Sequence, residues 1–301
     1  MPVSLVILIL YIVALFAISW YAKKRSEGNN ENFALAGRRL SAPLICVTII
    51  GLAVGGASTI GVSEHAFRVG LSAGWYTIAW ALGAIVMGLF MAKKYREQNI
   101  TTITELIERH HTKGAVILGV FCQIVIQLVI ISLQYIAGGS ILHAILPDIF
   151  DFHTGMIVSA ITFIGITFIG GMWSASLSNV LNIILIYVGI LAATIIQFKK
   201  IGSMDHLAAA LPANVPWFSF IGRVGDGVGP VTITSWVVTL ITVNLSLQSI
   251  LQISLGAKDA ATAKKGFVWG GILMLPVAGI VLLIKGGALG RMLADVFSGN
   301  V

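Results

Sequence analysis

The sequence predicts an all-α integral membrane protein, and three observations carry that prediction. The chain is 57% hydrophobic and only 10% charged, with a mean hydropathy of +0.95, far from the balance of a soluble globular domain. Seven stretches contain no Asp, Glu, Lys or Arg: Met1 to Ala22, Leu40 to Ser63, Val69 to Ala92, Gly114 to Pro147, Phe152 to Phe198, Gly227 to Ala257 and Gly266 to Ile284. The basic residues divide unevenly among the segments that join them.

Each stretch can cross a hydrocarbon core of about 30 Å at about 1.5 Å per residue. Phe152 to Phe198 would run about 70 Å as one helix, so it must fold back as two spans, giving about eight transmembrane helices. With the N-terminus outside, the inner loops hold Lys23, Lys24, Arg25, Arg38, Arg39, Lys93, Lys94, Arg96, Arg109, Lys113, Lys258, Lys264 and Lys265. The outer segments hold only Arg68, Lys199, Lys200, Arg223, Lys285 and Arg291. That asymmetry fits the positive-inside rule, so the net charge of +7 is a topology signal and nucleic acid is excluded as a partner. The bilayer is the partner that composition demands.

The first stretch reads as a retained helix. No Lys or Arg precedes its apolar run, and no small-residue cleavage pattern precedes Tyr21 and Ala22. Cys46 and Cys122 lie in apolar runs without paired spacing and read as small core residues. The second stretch contains GLAVGGASTIGVSEH, Gly51 to His65, where four glycines at about 1 kcal/mol each against Ala make a poor continuous helix. Two readings are open. Gly51 and Gly55 form a GxxxG pair suited to close helix packing. Alternatively the helix is interrupted, its freed carbonyls facing a small cation and its second half an anion.

Between the third and fourth stretches, Thr102 is placed to cap a short amphipathic helix with Glu105 at its third position, on the inner membrane surface. The fourth stretch carries Gln123, Gln127 and Gln134, either as interhelical hydrogen-bonding groups or as the border of a polar pathway. The loop from Lys199 to Pro230 predicts one short helix around Met204 to Leu211, as a lid or an ordinary connection. In the sixth stretch Ser235, Thr239, Thr242, Ser246 and Ser249 recur at helical steps, with Asn244, Gln248 and Gln252 on an adjacent stripe. Eight polar groups on one side favour a face lining a polar pathway.

No charged residue falls at mid-membrane depth, so any chemistry there uses backbone, hydroxyl and amide groups. The six histidines are scattered or adjacent, and no HExxH, nucleophile triad or phosphate loop is present. The chain does not read as an enzyme.

Four ordered segments resemble the sodium:solute symporter family, the relatives of sodium-coupled sugar, proline and pantothenate transporters. FALAGRRLSAPL (Phe33 to Leu44) is similar to the start of that family's first core helix. GVSEHAFRVGLSAGWY (Gly61 to Tyr76) is similar to its Gly-x-x-x-x-x-Tyr-x-x-Gly-Leu-x-x-Gly-Trp pattern, with Phe67 at the aromatic position. TFIGGMWSASLSNVLN (Thr167 to Asn182) resembles the Thr-Phe-x-Gly-Gly segment between core helices four and five. LQSILQISLGAKDAATAKKG (Leu247 to Gly266) resembles the sixth core helix.

The resemblance implies a LeuT-like core of two inverted five-helix repeats, with the first and sixth core helices interrupted at the midplane. On that scheme 1–22 is an extra N-terminal helix, 40–198 the first repeat and 230–285 the start of the second, all in one membrane domain covering core helices 1 to 7 of 10. It implies sodium-coupled symport of a small organic solute across the cell membrane by alternating access. Sodium would meet the backbone carbonyls of Gly51 and Val54. Solute would meet Ala53, Gly55, Ala57 and Ser58 from the first core helix and Asn244, Gln248 and Gln252 from the sixth. Three departures stand out. Ala53, Gly55 and Ala57 replace the polar positions that read sugar hydroxyls, which argues against a sugar. Asn179 and Asn182 replace an Asp and a Gln, and Ile253 replaces an Arg, removing charge near the inner side. The chain stops after the seventh core helix, which implies a missing C-terminal half, or else a non-transporting sensor or scaffold module or an inactive fragment.

Overall fold

The computed structural model describes residues 2–55, 58, 61–201, 217–222 and 228–285. Among them the backbone is helical, and its one extended pairing is an isolated parallel bridge between Leu40 and Ala257. The predicted helix around Met204 to Leu211 lies outside the described residues, as does Ala57.

Helix α1 (Val3–Ser26) carries Lys23, Lys24 and Arg25 in its last turn, where cations oppose the negative end of the helix dipole. The short α2 (Asn30–Leu35) is capped by Asn29, whose side chain accepts from the Asn32 amide at 2.8 Å. Next come α3 (Ala42–Ala53) and α4 (Val62–Val69). A 3₁₀ segment, Gly70–Gly74, leads into α5 (Trp75–Val86), and a π turn at Met87–Met91 joins that to α6 (Ala92–Glu97). The surface helix α7 (Ile103–His110) starts where the sequence places it, with Thr102 Oγ1 accepting from the Glu105 amide at 3.2 Å. Glu105 reaches back one residue further than a capping box requires, to the Thr101 amide at 2.7 Å.

Two long helices follow, α8 (Lys113–Ile145) and α9 (Phe152–Ile201), then α10 (Pro230–Ser246), α11 (Gln248–Leu255) and α12 (Ala260–Lys285). By length and composition four helical stretches can cross a membrane, namely Val3–Ser26, Gly70–Glu97, Lys113–Ile145 and Phe152–Ala192. The pair α10 and α11, bent by 52°, makes a fifth. The chain is a multi-pass membrane protein.

The fold-back demanded by the length of Phe152 to Phe198 occurs at Gly171, whose φ of 51° and ψ of −140° break α9 into two arms. Both arms lie along α1, and their contacts give the direction. On the first arm Gly165 faces Phe16, while on the second Ser174 Oγ meets Ser19 Oγ at 2.5 Å and Asn182 meets Tyr11. Leaving Gly171 in either direction therefore moves toward the start of α1. The turn is sealed by Ser26 Oγ, which donates to the Gly170 carbonyl at 2.5 Å.

The core centres on α3, where Ile45, Ile49 and Ile50 are fully buried together with Phe267 of α12 and Ile250, Leu251 and Leu255 of α11. In lipid, burial of apolar side chains supplies no drive for helices to associate, so close backbone approach has to. Helix α12 achieves it with glycine. A Cβ on Gly266 would stand 2.5 Å from Ile45 Cγ2, one on Gly270 would overlap Ile49, and one on Gly271 would stand 2.6 Å from the Ala81 carbonyl. By contrast α8 buries only Ala137, Gly139 and Leu142, near its end, and presents Ile117, Leu118, Phe121 and Ile124 outward. Cys46 is buried as expected. Cys122 is not: it lies exposed on α8, because lipid and core are both apolar and an apolar run does not say which one a side chain meets.

Candidate functional site

The stretch Gly51 to His65 is an interrupted helix. Regular α3 ends at Ala53, Val54 leaves the helical region at φ −96° and ψ 54°, Ser58 and Gly61 lie in π-type turns, and regular α-helix resumes as α4 at Val62. A helix end leaves its last carbonyls without intrahelical partners, a cost that lipid would not relieve. One is satisfied locally, since the buried Ser58 hydroxyl donates to the Ala53 carbonyl. Ala53 and Val54 are themselves buried.

The groups nearest the open faces of the two GxxxG glycines are amide side chains. A Cβ on Gly51 would lie 2.5 Å from Asn179 Cγ and 2.8 Å from its Nδ2. A Cβ on Gly55 would lie 3.0 Å from Gln134 Oε1. Two neutral amides, one from the second arm of α9 and one from α8, thus close over the end of α3. Behind Asn179 stands Asn182, whose Nδ2 donates to Asn179 Oδ1 at 3.5 Å, and whose own Oδ1 accepts from the Tyr11 hydroxyl at 2.8 Å.

A second interruption separates α10 from α11 at Leu247, which is extended at φ −75° and ψ 129°. Here α8 supplies another glutamine. Gln123 Nε2 donates to the Ser246 carbonyl and Gln123 Oε1 accepts from the Gln248 amide, both at 3.4 Å, one bond on each side of the break. On the far side of α10, Asn244 is buried against Gly83 of α5 and donates to its own helix at the Leu240 carbonyl, 2.8 Å away. Both α4 and α5 meet α10 through rings: His65 of α4 and Tyr76 of α5 pack edge-on to Trp236, at centroid separations of 5.9 and 5.8 Å.

The structure distributes the residues singled out from the sequence. Gly51, Ala53, Val54, Gly55 and Ser58 stand together at the first interruption. Gln248 and Gln252 instead point to the short helices α7 and α2. Gln248 Oε1 accepts from the Ile103 amide at 2.8 Å, and Gln252 Nε2 donates to the Ala34 carbonyl at 2.6 Å. Helix α11 is further held by Ser254, which donates to the Ala92 carbonyl at 3.0 Å, and by Arg96, which donates to the Ala257 carbonyl at 2.6 Å. Tyr95 ties the same end to α10 at the Leu245 carbonyl, 2.8 Å away. Of the hydroxyl stripe on α10, Ser235, Thr239, Thr242 and Ser246 are exposed, and Thr242 and Ser246 bond back to their own helix at 2.8 Å each.

Sequence reasoning weighed Gln134 without placing it, treated Asn179 and Asn182 only as departures from a pattern, and missed Tyr11. The available signal was polarity in the wrong solvent: each is a hydrogen-bonding group inside an apolar run, where lipid offers it no partner.

Chemically, the first interruption offers carbonyl, hydroxyl and amide oxygens with no ionisable group among them. Neutral oxygens suit a weakly held, hard monovalent cation or a neutral or zwitterionic solute. Among the described residues no three His, Cys, Asp or Glu side chains come together as a site for a transition metal.

Interrupted helices that bring their ends and polar side chains into a bundle core are a recurring feature of secondary transporters. A profile of the sodium:solute symporter family matches residues 33–294, and the chain belongs to that family. It is 22% identical over 286 residues to the uncharacterized symporter YidK of Escherichia coli K12, covering 89% of this chain and 49% of that protein. It is 23% identical over 234 residues to a sodium/proline symporter of Staphylococcus aureus strain RF122, covering 73% of this chain and 45% of that protein. The chain spans about half the length of these curated relatives. In three dimensions it matches a Na+-coupled sialic acid symporter solved in a substrate-bound outward-open state, with a TM-score of 0.80 at 14% identity. That match covers 97% of this chain and 61% of the other, and it establishes the shared fold.

Proposed function

We propose that this chain takes part in sodium-coupled symport of a small organic solute across the cell membrane by alternating access. The observation that carries the reading is the interruption of α3 at a cluster of neutral oxygens and amides, in a chain of this family. Sodium is held at the Gly51 and Val54 carbonyls beside Asn179. Solute is met by Ala53, Gly55, Ala57 and Ser58, with Asn244, Gln248 and Gln252 serving the second broken helix. The membrane domain has about eight spans with the N-terminus outside. Residues 1–22 form the extra helix, 40–198 the first repeat and 230–285 the start of the second. A C-terminal half, in the same chain or another, supplies the remaining core helices. Each sodium ion moving down a membrane potential yields about 2.3 kcal/mol per 100 mV, enough to concentrate a neutral solute about fiftyfold.

The test is uptake in proteoliposomes under an inward sodium gradient, by the chain assembled with the C-terminal half that completes its core. The solutes offered are proline and sialic acid, the two named for its relatives, and a wider amino-acid panel. The expected result is sodium-stimulated accumulation that a sodium ionophore abolishes and that Gly55→Leu or Ser58→Leu removes. Sodium binding without flux would favour a sensor or scaffold module, and neither binding nor flux would mark an inactive fragment. Uptake unchanged by both substitutions would overturn the site.

A further inference from the structure

We infer that the N-terminal helix reaches the interrupted helix α3 through a side-chain relay, and that Tyr11 is a positioning residue for cation binding at the break. The inference rests on the sodium-coupled reading above.

The relay has three links and a fixed polarity. The Tyr11 hydroxyl donates to Asn182 Oδ1 at 2.8 Å, which engages the oxygen end of that amide. Asn182 then turns its Nδ2 to Asn179 Oδ1, one helical turn away at 3.5 Å. Asn179 in turn lies flat against Gly51, so closely that only a hydrogen fits at residue 51. A phenol hydroxyl on α1 thus selects the rotamer of an amide it never touches, and that amide faces the last turn of α3.

Docking of α1 does not need this link. Ser19 with Ser174, and Ser26 with the Gly170 carbonyl, already fasten the helix near the turn of α9. Tyr11 is two turns further along α1 and is aimed at the amide pair instead. In apolar surroundings a misplaced amide has no water to repair it, so the position of Asn179 depends on the partner behind it. Deleting the Tyr11 hydroxyl while keeping its ring isolates that dependence.

The experiment uses the full chain in lipid nanodiscs, with sodium as the probe and potassium as the control, and reads the half-saturating sodium concentration from radioactive-sodium binding. Tyr11→Phe is expected to weaken sodium binding about three- to tenfold, the worth of one buried hydrogen bond. Asn182→Leu, which neither accepts from Tyr11 nor donates to Asn179 and adds no charge, should do the same. In the Asn179→Ala background Tyr11→Phe should add nothing, because its effect passes through Asn179. A purely structural role for Tyr11 would lower stability without this loss of additivity. Wild-type affinity in either Tyr11→Phe or Asn182→Leu, or an undiminished Tyr11→Phe effect in the Asn179→Ala background, would overturn the relay. Absence of sodium binding by the wild-type chain would instead overturn the sodium-coupled reading, and the relay's role with it.

Discussion

Gly171→Ala and Gly189→Ala make the same chemical change in one 50-residue stretch, yet the structure assigns them opposite outcomes. At Gly171 the backbone has φ 51° and ψ −140°, a conformation that costs an L-residue about 1–3 kcal/mol. An added Cβ would also overlap the Phe33 carbonyl and stand 2.9 Å from Phe33 Cδ2. Overpacking of this kind typically costs a further 1–3 kcal/mol or so, because part of what it meets is backbone and cannot rotate away. The expected loss is about 2–6 kcal/mol. At Gly189 nothing lies within 4 Å of the added carbon and the backbone is helical, so alanine should gain up to about 1 kcal/mol from helix propensity. Unfolding in mixed micelles by increasing SDS, followed by circular dichroism, measures both. Gly171→Ala should unfold at a clearly lower SDS fraction than the wild type, and Gly189→Ala at the same or a higher one. If 152–201 were one straight helix, both substitutions would stabilise it, and equal shifts for the two would refute the fold-back at Gly171.

Two further outcomes follow from the same geometry. Gly51→Ala should destabilise the chain by about 1–2 kcal/mol through its overlap with Asn179, and most of that loss should vanish in the Asn179→Ala background. Additive losses in the same SDS assay would show that the two residues are not in contact. Asp259 opens α12 by accepting from the Thr262 amide at 2.7 Å, and that backbone hydrogen bond, joined by the Thr262 side chain, holds its carboxyl below the ordinary value. A depressed folded-state pKa gives stability that is present above about pH 4 and is lost as pH falls through the depressed value. Asp259→Asn, which keeps the acceptor and loses the charge, should flatten the acid limb of the midpoint-versus-pH curve. An unchanged acid limb would remove Asp259 from the linkage.

The elements governed by local physics were legible in the sequence. Chain length against membrane thickness demanded the reversal that Gly171 makes, while the glycine density of Gly51 to Gly61 left close packing and an interruption of α3 both open until the family resemblance favoured the break. Thr102 and Glu105 marked the start of α7 because a helix cap is a contact across three residues. The contacts that complete the break were not legible, since Asn179 reaches Gly51 from 128 positions along the chain and Gln134 reaches Gly55 from 79. Helical periodicity put Asn244, Gln248 and Gln252 on one stripe. The extended residue Leu247 interrupts that period, so Gln248 and Gln252 turn toward Ile103 and Ala34 instead. The exposure of Cys122 reflects a different blindness, because hydrophobicity in this solvent does not distinguish inside from outside.

The short bridge between Leu40 and Ala257 bears on motion. Leu40 donates to the Gly256 carbonyl at 2.9 Å and accepts from the Lys258 amide at 3.1 Å, so the start of α3 and the end of α11 share two backbone bonds. Separating them would cost about 1–3 kcal/mol before any other contact is counted. The start of the first broken helix is thus tied by its backbone to the end of the second, and the two interruptions at Ala53 and Leu247 stand at opposite ends of one hydrogen-bonded unit.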